Sequence, residues 1–194
     1  MKNILKLNFL VIIAFYATSV NAQKKAKIKI EQGYKISWNL SLGYDFSIDI
    51  QNVTPYFDFN WFMSTGSNGK VIITQNALKS AVVQVNNFEN GTKETYDNKT
   101  TVLVSNFVYN SLKNNKEVVI NPDGNNETLR FKENQKMIVK VDGKDMQFNI
   151  LYAETEKNKK YWIWDNETTP LIFKMDLGWV LELKSITTNK KSKK

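Results

Sequence analysis

The sequence predicts a mainly β fold: a strongly curved, mainly antiparallel sheet or open half-barrel with one or two short helices. Three observations predict it. Apolar and polar residues alternate strictly from residue 34 to 50, turn signals punctuate the chain from there to its C-terminal end, and only two short stretches combine a helix cap with helical spacing. Strict alternation marks a strand with one buried face, because successive side chains point to opposite sides.

In the first stretch Tyr34, Ile36, Trp38, Leu40, Leu42, Tyr44, Phe46, Ile48 and Ile50 hold the even positions, and polar residues or glycine hold the odd ones. Seventeen residues in this register exceed the usual five or six of a strand. Either one long strand bends at Gly43 or two strands turn there, and the unbroken parity favours the bend. Next, 56–63 and 70–73 read as a hairpin around Ser67-Asn68-Gly69. Thr74 caps a short helix through Ser80, with Ala77, Leu78 and Ala81 on one side. A strand is expected over 82–88. Ser105 caps a second helix, with Phe107, Val108 and Leu112 at helical spacing. Strands then follow at 117–121, 127–132, 136–141, 144–153, 161–164, 171–175 and 179–186. Asp142-Gly143 is the strongest hairpin signal among their turns.

The ends read differently. Residues 1–22 have the form of a signal peptide: basic Lys2 and Lys6, an apolar run over 7–17, and the small-residue site Val20-Asn21-Ala22. That run is about half the roughly 20 residues a membrane-spanning helix requires. The expected organisation is a leader over 1–22, one β-rich domain over 23–187, and a disordered basic tail over 188–194. The expected location is exported, periplasmic or extracellular.

Formal net charge is +8, but Lys2, Lys6, Lys24, Lys25, Lys27, Lys190, Lys191, Lys193 and Lys194 all lie at the ends. Removing those nine lysines from +8 leaves the body at −1. A nucleic-acid binder carries its positive charge on a folded face that tracks phosphates, so no nucleic-acid partner is expected.

The chain contains no histidine and no cysteine. Ser-His-Asp and Cys-His catalysis are thereby excluded, as are cysteine-based zinc and iron–sulfur sites. Carboxylates remain: Asp165, Glu167 and Asp176 lie close in sequence and could suit a glycosidase, and Asp123, Asn125 and Glu127 have the oxygens of a calcium loop. Both sets are explained more simply as turn residues. No catalytic residue, metal or cofactor is expected, and the chain reads as a non-enzyme.

Three phrases, "ITQNALKSA", "TTVLVSNFVYNSLKNNKEVVI" and "DNETTPLIFKMDLGWVLELKSI", resemble an uncharacterised family of exported bacterial proteins of the Bacteroidota type, mainly over residues 71–187. The resemblance implies export and a β-rich fold, and brings no catalytic residue or ligand with it.

Two functional classes follow. Trp162, Trp164, Phe173 and Trp179 sit on strands that are apolar on both faces, as expected of a covered sheet or of one lining a cavity. In the first class they line a concave face that cradles a lipid-like or other hydrophobic molecule. In the second the core is filled, and the domain is a structural or protein-interaction module of the cell envelope.

Overall fold

The computed structural model describes residues 28–189. The expected leader, and the tail from residue 190 onward, lie outside the described residues. Thr188 does not begin a free tail: its amide and hydroxyl both donate to the carboxylate of Asp142, at 2.8 and 2.7 Å.

The architecture is mainly β, as expected, with thirteen strands and two short helices among the described residues. A meander opens the chain: β1 Lys35–Leu40, β2 Tyr44–Asn52, β3 Phe57–Met63 and β4 Asn68–Ile73. Helix α1 Gln75–Ser80 follows, then the short strands β5 Val83–Gln84, β6 Lys93–Tyr96 and β7 Lys99–Thr100. Helix α2 Asn106–Lys113 leads to β8 Val118–Pro122. A second meander closes the fold: β9 Glu127–Val141, β10 Lys144–Thr155, β11 Lys160–Trp164, β12 Ile172–Asp176 and β13 Val180–Thr187. The strand order is β6-β4-β3-β2-β1-β13-β12-β11-β10-β9-β8-β5-β7. Most neighbours are antiparallel, but β4–β6, β5–β7 and β5–β8 run parallel, so the sheet is mixed. A further parallel contact joins Ser185 and Ile186 of β13 to Lys140 and Val141 of β9, so the path from β9 to β13 curls back on itself.

The alternating segment is two strands, not one bent strand. Leu40 pairs with Tyr44 and Lys35 with Asp49, around the three-residue loop Ser41–Gly43. Gly43 sits at φ 89°, the left-handed position that a three-residue hairpin loop calls for. An odd loop length pairs even residues with even ones, so parity survives the turn and could not distinguish it from a bend. The burial agrees with the alternation: Ile36, Trp38, Phe46, Ile48 and Ile50 are buried, while Leu42 at the loop tip is 58% exposed.

Other boundaries moved for identifiable reasons. The β3–β4 turn lies over 64–67, with Gly66 at φ 98°, and the Met63 amide donates to the Ser67 carbonyl. Gly69 lies within β4, where a Cβ would come within 2.7 Å of the Thr92 carbonyl and 2.8 Å of Trp61 Nε1. That glycine serves close packing, not the turn. The strand expected over 82–88 keeps only two residues, and those expected over 127–132 and 136–141 are one strand, bulged opposite Tyr152 and Ala153. Both helix caps stand as expected, Thr74 accepting from Ala77 N and Ser105 from Val108 N at 3.3 Å. Phe107, however, is 51% exposed, and α2 buries Val108, Tyr109 and Leu112 instead.

Two helices this short cannot cover a sheet of this width, and the chain supplies the remainder from Thr100 to Ser105, every residue of which is buried. The β12–β13 pairing spans only Lys174–Asp176 against Val180–Glu182. Beyond it the Ile172 amide donates instead to the Val102 carbonyl at 2.8 Å, and the Val104 amide donates to the Pro170 carbonyl at 3.1 Å. Val102 takes φ 55°, a conformation uncommon for a β-branched residue, and the Leu103 amide turns back to the Thr101 carbonyl. A buried irregular segment must find partners for its backbone groups, and the first residue of β12 and the loop before it provide two of them.

A loop-built cleft and the fate of the aromatic residues

The four aromatic residues singled out by sequence do not form one surface. Trp164 and Phe173 pack with Phe148 in a three-ring cluster, with centroids 5.0 to 5.8 Å apart. All three rings are buried, so this cluster is core. Trp162, two residues from Trp164, is half-buried: its ring lies 4.9 Å from Tyr152 and beneath the Lys174 ammonium, and its indole N–H donates to Gln135 Oε1 at 2.9 Å. Tyr152 in turn donates to Glu154, and burial together with that neighbouring carboxylate pushes its phenol up to about 12.

Trp179 stands elsewhere, beside a small apolar cavity shared with Phe46, Phe88, Met175 and Leu181. The cavity measures about 30 Å³, room for two or three waters when roughly 10–15 Å³ holds one. Phe88 stacks on Phe46 at 5.3 Å and lies 5.2 Å from Trp61, filling the space a larger ligand would need.

Of the three carboxylates, Glu167 is exposed, whereas Asp165 and Asp176 are likewise engaged. Asp165 accepts from the Tyr109 hydroxyl at 2.8 Å and pairs with Lys113 at 2.7 Å, tying α2 to the end of β11. Asp176 lies at the opposite end of the β11–β12 ladder, opposite Lys160, and accepts from the Gly178 amide. Five residues of strand separate the two, about 16 Å at 3.3 Å per residue, well beyond the roughly 5–9 Å of a glycosidase pair. Asp123 accepts from Asn86, and Glu127 is buried against Lys159 at 2.8 Å; among the described residues no three or more acidic side chains gather as a metal site would need. Burial pushes the Glu127 carboxyl up, but hydrogen bonds from Lys159 and Thr155 and the two nearby ammonium groups outweigh it and hold it below its usual value. Lys70 pairs with Asp58 at 2.8 Å.

One recess built around the covering layer is one that the sequence did not point to. It has a volume of about 260 Å³ and lies where four separate pieces of chain meet. The β2–β3 loop contributes Val53, Thr54, Pro55 and the first residue of β3, Phe57; α1 contributes Gln75, Leu78 and Lys79. The buried crossing segment and the start of α2 add Leu103, Val104 and Asn106, and the β11–β12 loop adds Thr168, Thr169 and Pro170.

Its geometry follows from local rules. The chain enters from Pro55, after a cis Thr54–Pro55 bond, and from Pro170, two of the three prolines in the sequence. Asn166 Oδ1 accepts from the amides of Thr168 and Thr169, holding that loop in a compact Asx turn. Phe57, Leu103, Val104, Thr169 and Pro170 are buried and make a mainly apolar floor, while Gln75, Lys79 and Asn106 are exposed at the mouth.

Chemically the cleft is simple. Lys79 is the only ionisable residue lining it, and it has no ion-pair partner among the described residues. No carboxylate lines it. The one aromatic ring in its lining, Phe57, is 1% exposed and offers no face on which a sugar could stack. Prolines and Asx turns mark loops in a sequence, but nothing local says that these loops meet.

No family model matches the chain, and no curated protein or solved structure is found similar to it. The reading therefore rests on the geometry.

Proposed function

We propose that this is an exported, non-catalytic binding protein that holds its ligand in the loop-built cleft, with the space beneath the sheet closed by its own side chains. The observation that carries this reading is the contrast between two recesses: about 260 Å³ in the cleft against about 30 Å³ beside Trp179. Binding residues are often found on loops held by a rigid scaffold, and here the scaffold is the sheet with its buried crossing segment. Absence of histidine and cysteine from the sequence, and of carboxylates from the cleft lining, supports a role in binding without catalysis. Export rests on the leader-like residues 1–22, whose removal leaves Gln23 at the N-terminus.

Amide chemical-shift mapping with a library of small amphipathic fragments tests the site. Shifts clustered at Val53–Phe57, Gln75–Lys79, Leu103–Asn106 and Thr168–Pro170 support the cleft. Absence of any clustered response removes the binding reading. Intact-mass measurement on culture fractions tests export: a mature mass that retains residues 1–22 overturns it.

A carrier of lipid-like molecules is the second reading, favoured by the apolar wall that Phe46, Met63, Met175, Trp179 and Leu181 form around the small cavity. It requires Phe88, which lies outside regular structure, to swing away from Phe46 and Trp61. Organic extraction of protein from its native host, together with tryptophan fluorescence on addition of oleate, separates the two. A released lipid and a spectral shift support the carrier.

A further inference from the structure

Resting on the cleft reading above, we propose that the ligand is the C-terminal residue of an extended peptide: an apolar side chain on the floor and a free carboxylate at Lys79. Four observations define this chemistry. Four of the five buried floor residues, Phe57, Leu103, Val104 and Pro170, are apolar while the exposed rim is polar, so the cleft suits an amphipathic group with its hydrocarbon part inward. A volume of about 260 Å³ is below the roughly 300–1,000 Å³ typical of drug-sized ligands, and suits one residue. One cation and no anion line the cleft, which matches a single negative charge and disfavours cations and zwitterions of small span. Lys79 lies in the last turn of α1, and the side-chain amides of Gln75 and Asn106 stand at the same mouth with no hydrogen bond to another described residue, free to bond a carboxylate or a peptide group.

A peptide, as opposed to a free acid, is indicated by what surrounds the cleft. Tyr56 and Phe107 are 40% and 51% exposed, and each is the next residue after one that lines it. Neither ring lines the cleft, so only a ligand that extends beyond it could meet them, and aromatic side chains are enriched at interfaces. Capture of a terminal carboxylate is a known mode of peptide recognition.

Titration calorimetry on the mature protein tests this with four probes: acetyl-Ala-Ala-Leu as the free acid, the same peptide as its C-terminal amide, acetyl-Ala-Ala-Asp, and acetyl-leucine. The acid is expected to bind at least tenfold more tightly than the amide or the aspartate peptide, and more tightly than acetyl-leucine. Lys79→Ala should abolish the difference between acid and amide. Lys79 is exposed, so this variant is expected to melt like the parent. Equal binding of acid and amide, or an unchanged difference in Lys79→Ala, overturns the carboxylate assignment while leaving the cleft as a binding site. Acetyl-leucine binding as tightly as the tripeptide overturns the peptide in favour of a small free acid. If none of these probes and none of the neutral fragments shifts the cleft resonances, the cleft reading falls together with this one.

Discussion

The indole N–H of Trp38 donates to the carbonyl of Ile172, 3.0 Å away and 134 positions later in the chain. Trp38 belongs to the first meander and Ile172 to the last, so this bond ties the two meanders together inside the core. The same peptide region of β12 also holds the crossing segment, since the Ile172 amide donates to Val102. Trp38→Ala is expected to cost about 3–5 kcal/mol, as for a buried large-to-small change. Trp38→Phe should cost less, about 1–3 kcal/mol, chiefly from the unsatisfied carbonyl. Exposed Asn39, its neighbour, should tolerate alanine within about 0.5 kcal/mol. Urea denaturation of the three variants checks the order.

Val102 gives a sharper test of the crossing segment. In the left-handed region a residue with a Cβ is disfavoured by about 1–2 kcal/mol, and glycine escapes this. Glycine at 102 should therefore be more stable than alanine at 102, by about 1 kcal/mol. At Val104, whose φ is not positive, the order should invert, because glycine then adds only its larger loss of chain entropy. Thermal denaturation of the four variants decides whether residues 100–105 adopt this path.

Asp165 should behave as a structural latch and not as a catalytic acid. Tyr109→Phe is expected to cost about 1 kcal/mol through its lost hydrogen bond. Burial, together with the Asp165 carboxylate, pushes the Tyr109 phenol well above its ordinary value, so absorbance titration should find this phenol still protonated where exposed tyrosines have ionised. In Asp165→Asn the phenol should titrate lower, since a neutral amide no longer opposes its ionisation.

Glu127 should make the fold sensitive to acid. Its folded-state value lies below the usual 4.5, held down by Lys159, Thr155 and Lys157 against the opposing effect of burial. The unfolded chain therefore binds more protons in that window, and stability rises with pH there. The contribution is present in full above the unfolded value and is lost as pH falls through the folded one. Glu127→Gln should lower stability by about 1.5–3 kcal/mol at neutral pH, the range for hydrogen bonds to charged groups, and should flatten the pH dependence. Chemical denaturation between pH 3 and 7 measures both effects.

The sequence by itself determined the elements whose cause is local. Alternation from Tyr34 to Ile50 defined the buried face, because a strand has a period of two. Thr74 and Ser105 marked the helix starts, because an N-cap needs only its own side chain and the next turn's amides. Tertiary structure decided the rest. A three-residue loop preserves parity, so whether the chain bends or turns at Gly43 depends on which strand pairs with which. Gly69 looks like a turn residue until Trp61 and Thr92 are seen against it. Trp162 and Trp164 share a strand and a spacing, yet one ring is enclosed by Phe148 and Phe173 while the other meets Tyr152 and Lys174. The cleft has no sequence signature, because Pro55, Lys79, Val104 and Thr169 become neighbours only when the covering layer folds over the sheet. Periodicity records which side of an element is buried; what covers that side is settled by contacts between residues far apart in the chain.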